Sequence, residues 1–131
     1  MKKISAVLLI FIVVLSFCSC SKTNVDTSAD VTLVYVYADK NINLKLSDNE
    51  ASKVIDILNE KDYNSITSGV PSCGFNANVS LKIGDNSFAI ACDTCNNVQD
   101  LSNMKYFAIP KEDMKYIHTL FEEYGGHFPC I

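Results

Sequence analysis

The chain has 131 residues, of which 48% are hydrophobic and 20% are charged, and these values suit one globular domain rather than two. Its 11 basic residues are all lysines and its formal net charge is -4 at pH 7, so the composition argues against a nucleic-acid partner. Without arginine, the chain also lacks the planar group that binds phosphate or carboxylate through two parallel hydrogen bonds.

The N-terminus has the pattern of a secretory signal peptide. Lys2 and Lys3 precede an apolar run at residues 4–17 that is broken only by two serines. A basic start followed by an apolar segment is typical of such signals. The run is shorter than a helix that spans a bilayer. We therefore expect this chain to leave the cytoplasm.

The apolar run ends in Leu-Ser-Phe-Cys-Ser-Cys at residues 15–20, which resembles a bacterial lipobox. A small residue must precede the lipidated cysteine of that motif, and Ser19 meets this requirement for Cys20. We predict a lipoprotein signal peptide at residues 1–19 and a lipid, such as palmitate, on Cys20. Ordinary secretion and an uncleaved anchor are the alternatives. The lipid would hold the chain at the extracytoplasmic face of the cell membrane.

A tether and a hairpin are predicted next. Residues 20–30 comprise the lipidated cysteine and a polar stretch without an apolar period, which predicts a flexible tether. The folded domain is expected at residues 31–131. Residues 31–37 are rich in β-branched and aromatic side chains, and apolar residues alternate with polar ones at 42–46, so two strands should pair as a hairpin.

A capped helix and a long loop follow the hairpin. Ser47 and Glu50 form a capping box, and the helical spacing of later apolar residues predicts a helix that ends near Lys61. Residues 63–76 contain two glycines and a proline and show no sustained period, which predicts a loop. We expect its aromatic and apolar members to form a candidate binding loop, namely Tyr63, Ile66, Val70 and Phe75.

The second half of the chain predicts a hairpin, a short strand and a helix. Residues 77–83 alternate between apolar and polar and lead through a turn into residues 87–92. A polar excursion at 96–105 precedes the apolar segment 106–109, and Pro110 begins a helix that a pair of glycines ends. The fold class is therefore α+β, an antiparallel sheet of about five strands with two helices on one face.

Disulfides are the favoured interpretation of the cysteines in the predicted domain, because an even number in a small exported domain indicates pairing. If residues 84–87 form the hairpin turn, Ile83 faces Phe88 and the register brings Cys73 within reach of Cys95. If the short strand pairs with residues 87–92, the last helix ends near Cys92, to which Cys130 can return. We therefore favour Cys73 with Cys95 and Cys92 with Cys130, and the other two pairings stay open.

Two other interpretations of these cysteines remain. Cys92 and Cys95 have the spacing of a thiol-disulfide oxidoreductase, but that activity needs the first cysteine at a helix start, and here it follows a strand. A structural zinc site with four cysteine ligands prefers two such Cys-x-x-Cys motifs, and this chain has one. The sequence thus favours structural disulfides, with no metal and no cofactor.

No residue pattern in the sequence names a reaction. His118 lies on the flank of the last helix, where a histidine most often belongs to the packing. His127 lies near Cys130, but a disulfide at that cysteine would remove the nucleophile. The carboxylates are scattered, and no glycine-rich phosphate loop is present. We expect a domain without catalytic residues that binds a protein or a small molecule, with an oxidoreductase or a zinc-braced binding domain as alternatives.

Two segments near the end of the chain carry a resemblance. They read Tyr-Phe-Ala-Ile-Pro-Lys-Glu-Asp at residues 106–113 and Tyr-Gly-Gly-His-Phe-Pro-Cys at residues 124–130. Together they resemble the ending of small Firmicute lipoproteins that have no assigned activity. The resemblance implies an anchored domain and no catalytic residue to carry over. The order of hairpins and helices is also similar in outline to that of exported inhibitor and adaptor domains.

Overall fold

The computed structural model describes residues 22–66 and 71–125. The predicted signal peptide, the lipidated Cys20, Val70, His127 and Cys130 lie outside the described residues. In chain order the elements are β1 (Val31–Tyr37), β2 (Lys40–Lys45), α1 (Asp48–Leu58), a one-turn 3₁₀ helix (Tyr63–Ser65), β3 (Phe75–Ile83), β4 (Asn86–Ala91), β5 (Asn97–Asp100), β6 (Lys105–Ala108) and α2 (Lys111–Gly125).

The strands form one six-stranded antiparallel sheet in the order β2-β1-β3-β4-β5-β6. The predicted α+β class is confirmed, with one strand more than expected. That extra strand is β5, which lies in the segment predicted as a polar excursion. Val98 is its one aliphatic residue, so the strand carries no alternating apolar pattern. Its place in the sheet depends on pairing with β4 and β6, which a local pattern does not reveal.

Both helices pack on the same face of the sheet. That face is lined by alternate residues of the strands, among them Leu33, Leu81, Phe88, Val98 and Phe107, each with no exposed surface. They share one core cluster with the buried side chains of the helices, which are Val54, Ile55, Ile57 and Leu58 of α1 and Met114, Ile117, Leu120 and Phe121 of α2. Burial of this apolar surface is the main stabilising contribution to the fold.

The capping box predicted at α1 is confirmed. The backbone N–H of Ser47 donates to Glu50 Oε2 at 2.9 Å, and the Tyr124 hydroxyl donates to the same oxygen at 2.7 Å. The Ser47 hydroxyl also donates to this oxygen. The three hydrogen bonds hold the pKa of Glu50 below its usual value, and the one from the Ser47 hydroxyl contributes most. One carboxylate therefore joins the start of α1 to the end of α2. The helix α1 ends at Leu58, slightly before the predicted Lys61.

Residues 22–25, at the start of the predicted tether, pack against the domain. Thr23 and Val25 are only 2% and 5% exposed and pack into the domain. The Thr23 hydroxyl donates to the carbonyl oxygen of Leu58 at 2.6 Å and accepts from the backbone N–H of Lys61 at 2.7 Å. The carbonyls at a helix end lack partners within the helix. Because Thr23 supplies one, the polar stretch docks at the end of α1.

The register expected for the second hairpin is also wrong. The turn contains only Gly84 and Asp85, and Ile83 pairs with Asn86 rather than with Phe88. Gly84 has a φ of 56°, which suits a two-residue hairpin turn. The strand β6 pairs with β5 and not with β4, so the strand pairing used to place Cys130 near Cys92 is wrong as well.

The other face of the sheet carries a smaller packed layer. Ala89 and Ala91 have no exposed surface although they point away from the helices, because successive strand residues face opposite sides. An irregularity in β3 sets Phe75 opposite Ala91, and the Phe75 ring lies 5.5 Å from the Tyr106 ring. The small alanine side chains leave room for these two rings. The segment that enters β3 is thereby packed against the sheet.

Candidate functional site

A disulfide joins Cys73 to Cys95, as predicted, with Cα atoms 6.2 Å apart. It links the segment before β3 to the loop after β4. Asp93 strengthens this link, because its carboxylate accepts from the backbone N–H of Cys95 at 2.9 Å and from that of Gly74 at 3.3 Å. The Asn97 side-chain amide also donates to Cys73 Sγ at 3.0 Å. The disulfide therefore belongs to a hydrogen-bonded network that fixes the loop.

The other half of the Cys-x-x-Cys motif is also oxidised, because Cys92 is disulfide-bonded. Its predicted partner, Cys130, lies outside the described residues, so that pairing stays a prediction. Cys95 is bonded to Cys73 and not to Cys92. An oxidoreductase that used Cys92 and Cys95 as a pair would first have to break the bond between Cys95 and Cys73.

Among the described residues, one group has side chains of the types that bind metal ions. Ligand atoms of Cys73, Asp93 and Cys95 lie within 4.8 Å of one another. Metal ions bind the thiolate form of cysteine, whereas both sulfur atoms here are held in a disulfide. In the oxidised domain this group therefore does not fit a zinc ion.

A groove of about 590 Å³ lies between the loop at residues 92–96 and one side of α2. The loop is placed by the disulfide network, and the helix by its buried apolar stripe. The helical residues that line the groove recur every three or four positions, namely Lys111, Met114, Lys115, His118, Thr119 and Glu122. Residues with this spacing share one side of a helix. Its volume falls in the range of small-ligand sites.

His118 lies in the middle of this groove and is half-buried. Burial lowers its pKa below the ordinary value of 6.5, and a hydrogen bond to the backbone of Ala91 and the charge of Glu122 partly oppose that shift. The imidazole is therefore mainly neutral at pH 7. The sequence assigned this histidine to packing, and the structure places it half-buried on the side of α2 that lines the groove.

Two of the residues of the candidate binding loop lie on opposite faces of the sheet. Tyr63 packs its ring 6.1 Å from Phe107, which faces the helices, whereas Phe75 contacts Tyr106 on the other face. Ile66, which follows the 3₁₀ helix, is half-buried. The structure therefore does not gather Tyr63 and Phe75 into one surface.

Asp100 is a buried carboxylate that the sequence did not single out. It is 1% exposed and accepts a hydrogen bond from the Tyr63 hydroxyl at 2.5 Å. It also accepts from the backbone N–H of Ser102 and from the side-chain amide of Asn103, at 2.9 and 2.8 Å. The order Asp-Leu-Ser-Asn is typical of a turn in which aspartate binds following amides, and that was the available signal.

The Asp100 carboxylate also affects the pKa of Tyr63. Burial, the hydrogen bond to Asp100 and its negative charge raise the pKa of Tyr63 to about 12. The Lys105 ammonium lies 5.0 Å from the centre of the Tyr63 ring. Tyr63 is thus a neutral hydrogen-bond donor that fixes the 3₁₀ helix to the end of β5, and its hydroxyl is already used within the domain.

Two further observations concern the chain as a whole. None of the helices in the part of the chain that the structure describes has the length and apolar character needed to cross a bilayer. The chain matches no protein-family model, no curated protein and no solved structure.

Proposed function

We propose that this protein is a lipid-anchored extracytoplasmic domain that binds a protein or a small molecule and does not catalyse a reaction. The observation that carries the proposal is the disulfide between Cys73 and Cys95. Disulfides persist in exported proteins and are rare in the reducing cytosol. Together with the basic and apolar N-terminus and the lipobox-like residues before Cys20, it supports export and anchoring.

The groove beside α2 supports binding rather than catalysis. It has the volume of a ligand site, and its side chains are lysines, hydroxyls, a histidine and acidic groups rather than an activated nucleophile. The two cysteines that line it, Cys92 and Cys95, are held in disulfides. A sulfur in a disulfide is not the thiolate that attacks a substrate. The candidate binding loop around Ile66 and Val70 remains a second surface for a partner.

Each of the two alternative functions can be tested by a specific experiment. A thiol oxidoreductase that uses Cys92 and Cys95 would show a measurable reduction potential in the range of such enzymes, roughly −270 to −120 mV. A binding domain braced by four cysteines and zinc would contain zinc when purified. The bond from Cys95 to Cys73 favours the structural interpretation over both.

The experiment that tests the anchor compares the wild-type chain with Cys20→Ala and, as a matched control, Cys18→Ala. We expect labelled palmitate and membrane association to be retained by the wild type and the control and lost in Cys20→Ala. Protease added to intact cells that lack an outer membrane should digest the wild-type domain. An intact precursor in the cytosolic fraction, with Met1 retained and no lipid, would refute the proposal.

A further inference from the structure

Cys73, Asp93 and Cys95 bring three potential metal ligands together beside the start of β3 and the end of β4. Their ligand atoms lie within 4.8 Å of one another. A tetrahedral zinc ion bound to two sulfur atoms and one carboxylate oxygen places these atoms roughly 3.6 to 3.8 Å apart. The three groups are therefore close to the arrangement that zinc needs, and the bond between the two sulfur atoms is what prevents it.

The backbone holds the two segments that carry the cysteines together without help from the disulfide. The N–H of Cys92 donates to the carbonyl oxygen of Gly74, the residue after Cys73, at 2.8 Å. Phe75 pairs with Ala91 one residue further into the sheet. These contacts do not involve a sulfur atom, so breaking the disulfide leaves the two segments next to each other.

Hydrogen bonds orient two of the three ligands. The Asp93 carboxylate accepts from the backbone N–H groups of Cys95 and Gly74, one at each oxygen. Each oxygen keeps a second lone pair that a metal ion can use. The Asn97 side-chain amide donates to Cys73 Sγ at 3.0 Å, and such a donor favours the thiolate, the form of cysteine that binds metal. Supporting hydrogen bonds of this kind fix the ligands of a metal site.

We propose that reduction of the disulfide between Cys73 and Cys95 creates a zinc site whose ligands are the two thiolates and the Asp93 carboxylate. A dithiol supplies two electrons and two protons and becomes a disulfide, while the bond between the two cysteines breaks and leaves two thiols. Zinc then displaces the two thiol protons, which pass to water. Three protein ligands leave the fourth tetrahedral position to water or to a bound molecule.

The chemistry and the position of the group both suit zinc. Thiolates are ligands for zinc, whereas magnesium and calcium prefer oxygen ligands alone. Asp93 is exposed, and Asp93 and Cys95 line the groove beside α2, so an ion can enter from solvent. The site goes beyond the proposed binding function. It also differs from a zinc site with four cysteine ligands, because it includes Asp93, leaves out Cys92 and forms only in the reduced domain.

The test uses the purified full-length chain in detergent, with Cys73 and Cys95 as its remaining cysteines. The other four are replaced by the substitutions Cys18→Ala, Cys20→Ala, Cys92→Ser and Cys130→Ser. One sample stays oxidised, and the other is reduced with dithiothreitol, which is then removed under nitrogen. Cd²⁺ is added as a probe and followed by the ultraviolet absorbance of its bonds to thiolates, and Zn²⁺ is added in competition.

We expect the reduced chain to bind one Cd²⁺ and to release about two protons, and Zn²⁺ to displace the Cd²⁺. The oxidised chain should show no cadmium-thiolate absorbance, because it contains no thiolate. The cadmium NMR shift should indicate two sulfur ligands. Asp93→Asn should weaken the affinity by about tenfold or more. Asp85→Asn, which changes an exposed aspartate in the turn between β3 and β4, is the matched control and should leave the affinity unchanged.

The same comparisons are made in the wild-type chain, so the proposal stays testable if the four cysteine substitutions prevent folding. A reduced chain that stays folded by circular dichroism and binds no Cd²⁺ would overturn the proposal. So would a reduced chain that unfolds and is not restored by Cd²⁺.

Two further outcomes would also overturn the proposal. The first is equal affinity of the Asp93→Asn and Asp85→Asn variants, since the ligand set includes Asp93. The second is binding by the wild-type chain that is lost in Cys92→Ser, which would assign the metal to a site with more cysteine ligands. None of these measurements involves the lipid on Cys20 or a ligand in the groove, so failure of this proposal leaves the proposed function standing.

Discussion

Replacing both Cys73 and Cys95 by alanine should destabilise the domain by about 3 kcal/mol. The two residues are 22 positions apart in the sequence. In the chain-entropy model, closing a loop of that size removes about 11 cal/mol/K from the unfolded chain, which is about 3 kcal/mol at 25 °C. The hydrogen bonds that Asp93 makes to backbone amides in the loop should persist in part, since they do not involve the sulfur atoms.

The measurement is equilibrium unfolding in urea, followed by far-UV circular dichroism. The double variant is preferable to a reducing agent, because Cys92 is also disulfide-bonded and would be reduced at the same time. Ser72→Ala is the matched control, since Ser72 is exposed beside Cys73 and its removal should change the unfolding free energy by less than about 0.5 kcal/mol. A loss below about 1 kcal/mol in the double variant would contradict the loop-closure argument.

Three further predictions concern polar groups that are buried or half-buried. Thr23→Val should cost about 1–3 kcal/mol, because it removes the hydroxyl bonded to Leu58 and Lys61; unchanged urea unfolding would contradict the docking of residues 22–25. Tyr63→Phe should cost a similar amount, and it should abolish the phenol that titrates with a pKa of about 12 in ultraviolet absorbance. His118 should titrate below 6.5 by NMR, so its stabilising contribution is full above that pH and is lost as pH falls through the lowered pKa; a value at or above 6.5 would refute this.

Local interactions explain which parts of the fold the sequence predicted. The capping box of Ser47 and Glu50 joins residues three positions apart, so its atoms meet wherever a helix starts there. The alternation in β3 and β4 likewise predicts a hairpin, because its partners are neighbours in the chain. The disulfide from Cys73 to Cys95 was predicted correctly despite a wrong register, because both cysteines lie just beyond the paired strands, where the loops tolerate such a shift.

The extra strand β5 and the docked residues 22–25 show what local patterns miss. Neither segment has an apolar period, since Val98 is the one aliphatic residue of β5 and Val25 is the one aliphatic residue of residues 22–25. β5 is held by backbone pairing on both sides, and Thr23 by its hydrogen bonds at the end of α1. The partners of Thr23 lie more than 30 residues away. The strand β5 pairs with its neighbours in the chain but has no apolar pattern of its own, so propensity alone predicts a loop.

By itself, the sequence determined the fold class, because apolar periodicity operates between near neighbours, and it favoured the pairing of Cys73 with Cys95 while leaving the other pairings open. Only the tertiary structure decided where candidate functional groups meet. It separated Tyr63 from Phe75 by placing them on opposite faces of the sheet. It also brought the loop at residues 92–96 against α2 to form the groove. Those distances depend on strand order and helix packing, which arise from burial of the whole core at once.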